Sequence, residues 1–209
     1  MLTGSSILDE ILEKHRMILV YGEAGTGKTT LLLTIARNLS INGWKILFIS
    51  TEGSMYMARV APREKDYSNV FFAEVYSLDE LLKLILTIPL MKRVDGIIID
   101  SINAPFRLEA YKEKSIEKLG IILGLLKYIT LKNSTVVYSS AQVRAVESID
   151  GEEVTASGMP ILEFWFDLII QLLRSDGERV LKIVKPLDKK DIQLKFIIEE
   201  SGVEWIDYS

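Results

Sequence analysis

Residues 17–38 read MILVYGEAGTGKTTLLLTIARN, and this stretch decides the fold. It begins with an uncharged apolar run, continues through three closely spaced glycines, and ends in a segment with the apolar spacing of a helix. Residues 22–29 match the pattern G-x-x-x-x-G-K-[ST], which binds nucleotide phosphates when a strand precedes it and a helix follows it. The sequence therefore predicts a strand over residues 17–21, a phosphate loop, and a helix over residues 28–38.

The residue types of this loop suit the binding of an anion. Glycines allow backbone angles in which successive amides turn inward, and the start of the following helix adds partial positive charge. Lys28 is expected to reach the outer phosphates of a nucleotide, and the Thr29 hydroxyl to hold magnesium. The predicted nucleotide-binding residues of the loop are Gly22, Glu23, Ala24, Gly25, Thr26, Gly27, Lys28, Thr29 and Thr30.

Two acidic residues follow predicted strands in the same part of the chain. Asp100 ends the apolar run GIIID at residues 96–100, and Glu52 follows a predicted strand over residues 45–50. Because open α/β sheets bind ligands outside the carboxyl ends of their strands, Asp100 is expected to orient magnesium through its water shell. Glu52 is expected to polarise the water that attacks the γ-phosphate. Alone, Asp100 would fit an ordinary strand-end turn better, and Glu52 has the alternative of a solvated carboxylate at a strand–turn junction.

Apolar runs and helical patterns alternate along most of the chain. Further strands are predicted over residues 70–75 and 135–141, and helices over residues 78–90 and 116–131. This alternation favours an α/β fold with a mostly parallel central sheet flanked by helices. Later runs, over residues 168–174, 179–185 and 193–199, are separated by turn signals and predict antiparallel hairpin strands at the sheet edge. One domain spanning residues 1–209 is the simplest organisation.

Composition excludes several classes of protein and site. A hydrophobic content of 48% is that of a globular chain, and the net charge of -4 argues against a general nucleic-acid coat. No cysteine is present, which excludes disulfides and thiolate metal sites, and the single histidine, His15, excludes a site with several histidine ligands. The charged start and the lack of a long apolar run predict a cytoplasmic protein without a membrane span.

Four segments in order carry a resemblance to a known family. They are GEAGTGKTT at 22–30, FISTEG at 48–53, IIIDSINAPFRLEAY at 97–111 and SSAQV at 139–143. Together they resemble the ATPase core of the RecA superfamily, in its archaeal RadA and RadB branch, and the likeness spans roughly residues 3–207. The resemblance implies a RecA-like P-loop NTPase that uses ATP and Mg²⁺, with hydrolysis that is slow or dependent on DNA or a partner.

The resemblance also implies roles for individual residues. Gln142 matches a glutamine that senses the γ-phosphate and relays its presence to a DNA-binding loop, which makes Lys28, Glu52 and Gln142 the catalytic set. Arg59 matches an arginine that stacks on adenine, although a solvated helix charge is an equally good interpretation. Lys182 and Lys185 lie where relatives cover the ATP of a neighbouring subunit, or else they are solvated lysines of an edge strand.

Two segments lie where relatives contact DNA. The later one, residues 143–160, offers Arg144 but is rich in acid, and residues 144–158 are expected to form an irregular, poorly ordered loop. The earlier one, residues 103–118, carries more cations than acids, together with aromatic rings for stacking. Its basic and aromatic residues are Arg107, Lys112, Lys114, Lys118, Phe106 and Tyr111. We therefore expect weak, salt-sensitive binding of single-stranded DNA through the earlier segment, although a solvated helix start explains the lysines equally well.

The departures from the family favour an accessory paralogue over the strand-exchange protein. Neither the helical DNA-binding domain nor the filament-joining linker of RadA precedes the core, so we expect partnership with a RadA-type recombinase or other paralogues rather than long filaments. Self-association stays open. One alternative is a KaiC-like regulatory ATPase, and another is a non-catalytic, ATP-bound adaptor that recruits a recombinase. A GTPase and an ABC-type ATPase are disfavoured because the motifs N-K-x-D and L-S-G-G-Q are absent.

Overall fold

Strands and helices alternate through the part of the chain that the structure, a computed structural model, describes: residues 2–91, 93–109, 114–148, 151–175 and 178–206. The strands are β1 (Met17–Gly22), β2 (Ile46–Ser50), β3 (Val70–Glu74), β4 (Gly96–Asp100), β5 (Val136–Ser148), β6 (Gly151–Ala156), β7 (Leu168–Ser175), β8 (Glu178–Lys185), β9 (Gln193–Glu199) and β10 (Gly202–Ile206). The helices are α1 (Ser6–Glu13), α2 (Lys28–Ile41), α3 (Met57–Val60), α4 (Leu78–Thr87), α5 (Ala104–Glu109), α6 (Ser115–Asn133) and α7 (Met159–Trp165).

The strands form one sheet in the order β10-β9-β8-β7-β1-β5-β4-β2-β3, with β6 joined to β5 alone. From β7 through β3 the neighbouring strands are parallel, and β8, β9 and β10 continue the sheet in antiparallel pairs. This arrangement confirms the predicted α/β fold with its antiparallel strands after the parallel core. It also places the carboxyl ends of β1, β2, β4 and β5 along one edge of the sheet.

Burial on both faces explains why the central strands are so apolar. Every residue of β1, β2 and β4 is buried, which a parallel sheet covered on both sides requires. Helices α1 and α2 pack on one face around Phe48, and helices α4, α6 and α7 pack on the other around Leu123. The sheet edge that carries the strand ends is thereby held rigidly between two cores.

Side-chain caps set where two of these helices begin. The Ser5 hydroxyl accepts a hydrogen bond from the Leu8 amide at 3.3 Å at the start of α1, and the Ser77 hydroxyl accepts one from the Glu80 amide at 3.2 Å at the start of α4. Each satisfies an amide that the first turn of a helix leaves without a partner. Helix α2 begins differently, because its N-cap is Gly27 and no side chain caps it.

The expected irregular loop over residues 144–158 is wrong for the part that is described. Strand β5 continues to Ser148 and pairs with β6 in an antiparallel hairpin, in which Val143 lies opposite Ala156. Local pairing satisfies the backbone of such a hairpin whatever the charge of its side chains, so acidity alone does not predict a loop. The sequence carries a hairpin signal in this segment, the dipeptide Asp150-Gly151.

Other differences concern elements that the sequence analysis placed incompletely. Strand β7 was expected to belong to the antiparallel edge, but it pairs in parallel with β1 and only then in antiparallel fashion with β8. The helix over residues 78–90 ends at Thr87 and continues as a short 3-10 turn, because Pro89 lacks the amide that an α-helix needs. Within the described residues, no helix is long and apolar enough to cross a membrane.

Candidate active site

The phosphate loop lies between the end of β1 and the start of α2, and two of its glycines are required by the backbone. Gly25 and Gly27 have φ angles of 80° and 103°, values that other residues rarely adopt. A Cβ atom on Gly27 would lie 2.9 Å from Cδ1 of Ile198, so a side chain there would require the end of Ile198 to shift. Since no side chain caps α2, the amides at its start are left for a ligand.

Lys28 is buried at the first position of α2, where its ammonium group closes the loop. Nζ donates hydrogen bonds to the carbonyl oxygens of Gly22 at 2.8 Å and Glu23 at 2.7 Å. Burial lowers the pKa of Lys28, while the carboxylates of Asp100, Glu52 and Glu23 act in the opposite direction. The group is therefore a desolvated cation held by neutral oxygens and directed at the cavity where phosphates would lie.

Asp100 and Thr29 bring a carboxylate and a hydroxyl together next to the loop. The Thr29 hydroxyl donates to Oδ2 of Asp100 at 2.7 Å, and the Ser140 hydroxyl donates to Oδ1. These are hard oxygen ligands of the kind that Mg²⁺ prefers, and Mg²⁺ usually combines one or two such groups with water and substrate phosphates. The described residues contain no group of three or more acidic, histidine or cysteine side chains that would form an all-protein cage. The donor set thus fits magnesium bound together with a nucleotide.

Glu52 and Gln142 face each other across the end of the sheet. Nε2 of Gln142 donates to both carboxylate oxygens of Glu52, at 2.8 Å each, and the Ser101 hydroxyl donates to Oε1 at 2.8 Å. The amide of Gln142 therefore takes up part of the hydrogen-bonding capacity of the Glu52 carboxylate.

Two residues after β4 hold Gln142 in this position. Arg107 donates from Nη1 to Oε1 of Gln142 at 2.7 Å. The fully buried Asn103 binds the backbone of Gln142 on both sides, accepting from its amide at 3.0 Å and donating to its carbonyl at 2.8 Å. The Asn103 amide also lies 3.4 Å from the carbonyl oxygen of Ser157, which follows β6. Asn103 thus connects the two legs of the β5–β6 hairpin at their base.

A cavity of about 420 Å³ brings most of the predicted residues together. The residues that line it are Ala24, Gly25, Gly27, Lys28, Thr29, Thr30, Glu52, Arg59, Asp100, Gln142, Arg179 and Ile198. Gly22, Glu23 and Thr26 lie behind the loop and do not line this cavity; they line a smaller one of about 140 Å³. The predicted catalytic and metal-binding side chains therefore converge on one space.

A second cavity of about 400 Å³ adjoins the first and shares Thr30, Arg59 and Ile198 with it. Arg59 lies at the junction and donates from Nη1 to the Thr30 hydroxyl. The guanidinium groups of Arg37 and Arg63 bind the carbonyl oxygens of Ser201 and Glu200 on the far wall. The volume falls within the range of small-molecule sites, and its position next to the phosphate loop suits a nucleoside.

The structure places the other predicted cations away from this cavity or in internal contacts. Lys185 lies at the opposite edge of the sheet and donates to the carbonyl oxygens of Glu163 and Phe166, both at 2.7 Å. Lys118 pairs with Asp79 at 2.6 Å. Arg107, expected to contact DNA, donates from Nη1 to Oε1 of Gln142.

Three residues expected near DNA have no described side chain. Lys112 and Tyr111 lie outside the described residues. Arg144 belongs to β5, where its backbone lies opposite Thr155. The expected DNA contacts therefore stay predictions.

Sequence reasoning missed Asn103, Ser140 and Arg179. Asn103 and Ser140 act through contacts with residues 39 and 40 positions away, and Arg179 lines a cavity built from distant segments. Asn103 alone had a usable signal, because a polar residue stands three positions after Asp100 in a segment already matched to the family.

Comparisons with known proteins show which proteins this chain resembles. The DNA repair and recombination protein RadB from Methanocaldococcus jannaschii is 31% identical in an alignment of 217 positions, which covers 96% of this chain and 100% of the relative. A protein of the same name from Methanococcus maripaludis is 32% identical and covers 97% of each chain, and one from Archaeoglobus fulgidus is 29% identical and covers 97% and 96%. The profile of a family described as Novel STAND NTPase 3 matches residues 4–74, which include the phosphate loop and end before Asp100.

Proposed function

The chain belongs to the RadB family, and on that premise we propose that it is an accessory ATPase of DNA recombination or repair that binds ATP with Mg²⁺ and hydrolyses it slowly. The observation that carries the proposal is the convergence of Lys28, Thr29, Asp100, Glu52 and Gln142 on one cavity beside a phosphate loop. The names of the relatives support the role in recombination and repair. The slow rate of hydrolysis is inferred from the contact between Gln142 and Glu52.

Each residue of the site has a separate role in the transfer of the phosphate to water. Amides of the loop and the Lys28 ammonium group bind the phosphate oxygens, while Thr29 and Asp100 would hold magnesium. Magnesium bound there would neutralise charge that develops on the phosphates. Glu52 accepts a proton from the attacking water once Gln142 has left its carboxylate. Arg59 lies where it would contact the base.

Slow turnover follows from the contact between Gln142 and Glu52. Both oxygens of the base are occupied by the Gln142 amide, so the resting site is not arranged for proton transfer. A partner that moves Gln142, through the hairpin or through a neighbouring subunit, would raise the rate. Single-stranded DNA and a RadA-type recombinase are the partners we propose for that step.

The same contact supports a second function, that of an adaptor that binds ATP without turning it over. In that case Gln142 stays on Glu52, and nucleotide binding only holds a conformation that recruits a recombinase. Tight ATP binding without measurable turnover, together with capture of a RadA-type protein, would select this function. Stimulated hydrolysis would exclude it.

An ATPase assay with and without single-stranded DNA, across a range of salt concentrations, tests the main proposal. We expect slow hydrolysis that DNA stimulates most strongly at low salt. Lys28→Ala should reduce nucleotide binding and hydrolysis at least about a hundredfold, because it removes the buried cation of the loop. Lys45→Ala serves as the control, since Lys45 is exposed before β2 at the opposite edge of the sheet. Normal ATPase activity in Lys28→Ala would end the proposal.

A further inference from the structure

The hairpin formed by β7 and β8 lies directly against the phosphate loop. A Cβ atom on Gly22 would lie 2.4 Å from the carbonyl oxygen of Leu172, which shows how closely β7 follows the end of β1. Arg174 on β7 and Arg179 on β8 lie opposite each other in the ladder. Since residues directly opposite in an antiparallel pair lie on the same face, the hairpin presents two arginines side by side.

Both arginines reach the glycines of the loop. Nη1 of Arg174 lies 3.7 Å from the position that a Cβ atom on Gly25 would take, and Cδ of Arg179 lies 3.6 Å from the corresponding position on Gly27. Arg174 is exposed, whereas Arg179 is half-buried and lines the 420 Å³ cavity together with Lys28 and Thr29. Arg179 is therefore the arginine of the pair that enters the space where phosphates would lie.

Arg179 has a polar atom without a partner. Its Nε is buried and makes no hydrogen bond to any residue that the structure describes. Leaving a buried donor without an acceptor is costly, and such atoms in folded proteins usually await a ligand, an ion or water. No ion pair joins Arg179 to a carboxylate within the described ranges. A planar guanidinium group with free donors matches the oxygens of a phosphate.

We propose that Arg179 is a phosphate-binding residue for the nucleotide, supplied by the same chain that carries the phosphate loop. This inference rests on the proposed function and adds a contact to it. Arg179 approaches the phosphates from the β8 side of the loop, at Gly27, while Lys28 approaches from within the loop. The phosphates are thereby held between two cations of one chain, and nucleotide binding does not require a neighbouring subunit.

Titration calorimetry with Mg-ATP tests the proposal on the full chain. The main variant is Arg179→Met, which keeps an unbranched apolar stem against Gly27 but removes the guanidinium group. We expect its affinity for Mg-ATP to fall about ten- to hundredfold, the range of a lost hydrogen bond between charged groups. Arg179→Lys should lose less, because it keeps a charge without the planar fork. Arg93→Met is the matched control, because Arg93 is an exposed arginine before β4, at the far edge of the sheet.

Two readouts separate a phosphate contact from a structural role. The first is the salt dependence of the affinity, which should be less steep in Arg179→Met because one screened charge pair has been removed. The second is urea unfolding without nucleotide, in which the variant should be no less stable than the wild type, because the substitution also removes the buried Nε that has no partner. Arg179→Met binding Mg-ATP within about twofold of the wild type, or weaker binding with an unchanged salt dependence, would overturn the proposal.

The outcomes also separate this inference from the proposed function. If the wild type binds no Mg-ATP, the proposed function itself is wrong, and Arg179 has no phosphate to bind. If the wild type binds Mg-ATP and Lys28→Ala does not, but Arg179→Met binds as the wild type does, only the role of Arg179 is wrong.

Discussion

Lys28 is the residue at which stability and ligand binding conflict most directly. Its ammonium group is buried, and the two carbonyl oxygens that hold it do not replace all of the water it has lost. Burial is the largest influence on its pKa and lowers it. The folded chain without nucleotide therefore binds this proton less tightly than the unfolded chain does.

This lowered pKa predicts a dependence of stability on pH. Between the lowered value and the ordinary value of 10.5, the unfolded chain holds more protons at Lys28 than the folded chain. The free energy of unfolding therefore rises with pH in that window. We expect the unfolding free energy of the wild type minus that of Lys28→Met to increase as the pH is raised toward 10.5 in urea titrations without nucleotide. Other groups titrate equally in both proteins and cancel, so a constant difference would contradict the expectation.

At Glu52, hydrogen bonds from Gln142 compete with the attacking water for the carboxylate oxygens. Glu52→Gln keeps the size of the side chain but cannot accept a proton from water. We expect Mg-ATP affinity to change little, while hydrolysis falls about 10²- to 10⁴-fold, the usual contribution of a general base. Glu13→Gln, an exposed change at the end of α1, is the control. A hydrolysis rate equal to that of the wild type would remove Glu52 from the catalytic role.

At the scale of elements, the turn from β1 into α2 depends on Gly27 for two separate reasons. One is its φ angle of 103°, and the other is the closeness of Ile198. Gly43, just after α2, has a φ angle of 80° but nothing within 4 Å of the position of a Cβ atom. Comparing the same substitution at the two glycines therefore distinguishes the effect of backbone strain from that of steric crowding.

Alanine at each of these glycines tests that separation. Gly43→Ala should lower the free energy of unfolding by about 1 kcal/mol, the cost of a left-handed angle for a residue with a Cβ atom. Gly27→Ala should lose more, and it should also lose Mg-ATP binding, because the loop must move away from Ile198. Urea unfolding and calorimetry measure the two effects. Equal losses of stability in both variants would mean that Ile198 simply moves aside.

Elements were predictable where the pattern that defines them is local. The run GIIID predicts β4 residue for residue, because burial on both faces leaves no room for a polar side chain. The pairing of β5 with β6 was not predicted, because the acidic composition of that segment outweighed its Asp-Gly turn signal. The parallel pairing of β7 with β1 joins strands about 150 positions apart, which no local pattern encodes.

The residues of the site also fall into those that a local motif predicts and those that it does not. Residues in consecutive motifs, such as Lys28 and Asp100, could be proposed from the sequence because the motif itself states their roles. Arg179 and Asn103 could not, since their importance comes from what the fold places beside them. A lone arginine after a turn, or a lone asparagine after a strand, has no chemistry of its own until its neighbours are known.

For the whole molecule, the net charge limits how strongly the chain can bind DNA. The net charge is -4, and Arg107 and Lys118 have internal partners. We therefore predict that single-stranded DNA binds weakly, through Lys112 and Lys114, and that binding weakens steeply with salt. Charge reversal of both lysines to Glu should weaken binding at least about tenfold at low salt in a fluorescence titration. The control is charge reversal of Lys14 and Lys132, which are exposed at other sites. Undiminished DNA affinity in the Lys112 and Lys114 variant would count against the prediction.

Asn103 binds the backbone of Gln142 and lies within hydrogen-bonding distance of the far leg of the β5–β6 hairpin, and this has a thermodynamic consequence. If ATP favours one position of Gln142, and a macromolecule on the hairpin favours the same position, each ligand must raise the affinity of the other by the same factor. The coupling is reciprocal whichever ligand arrives first. A chain of this size can thus act as a coincidence detector, holding its partner firmly only while nucleotide is bound and holding nucleotide firmly only while its partner is present.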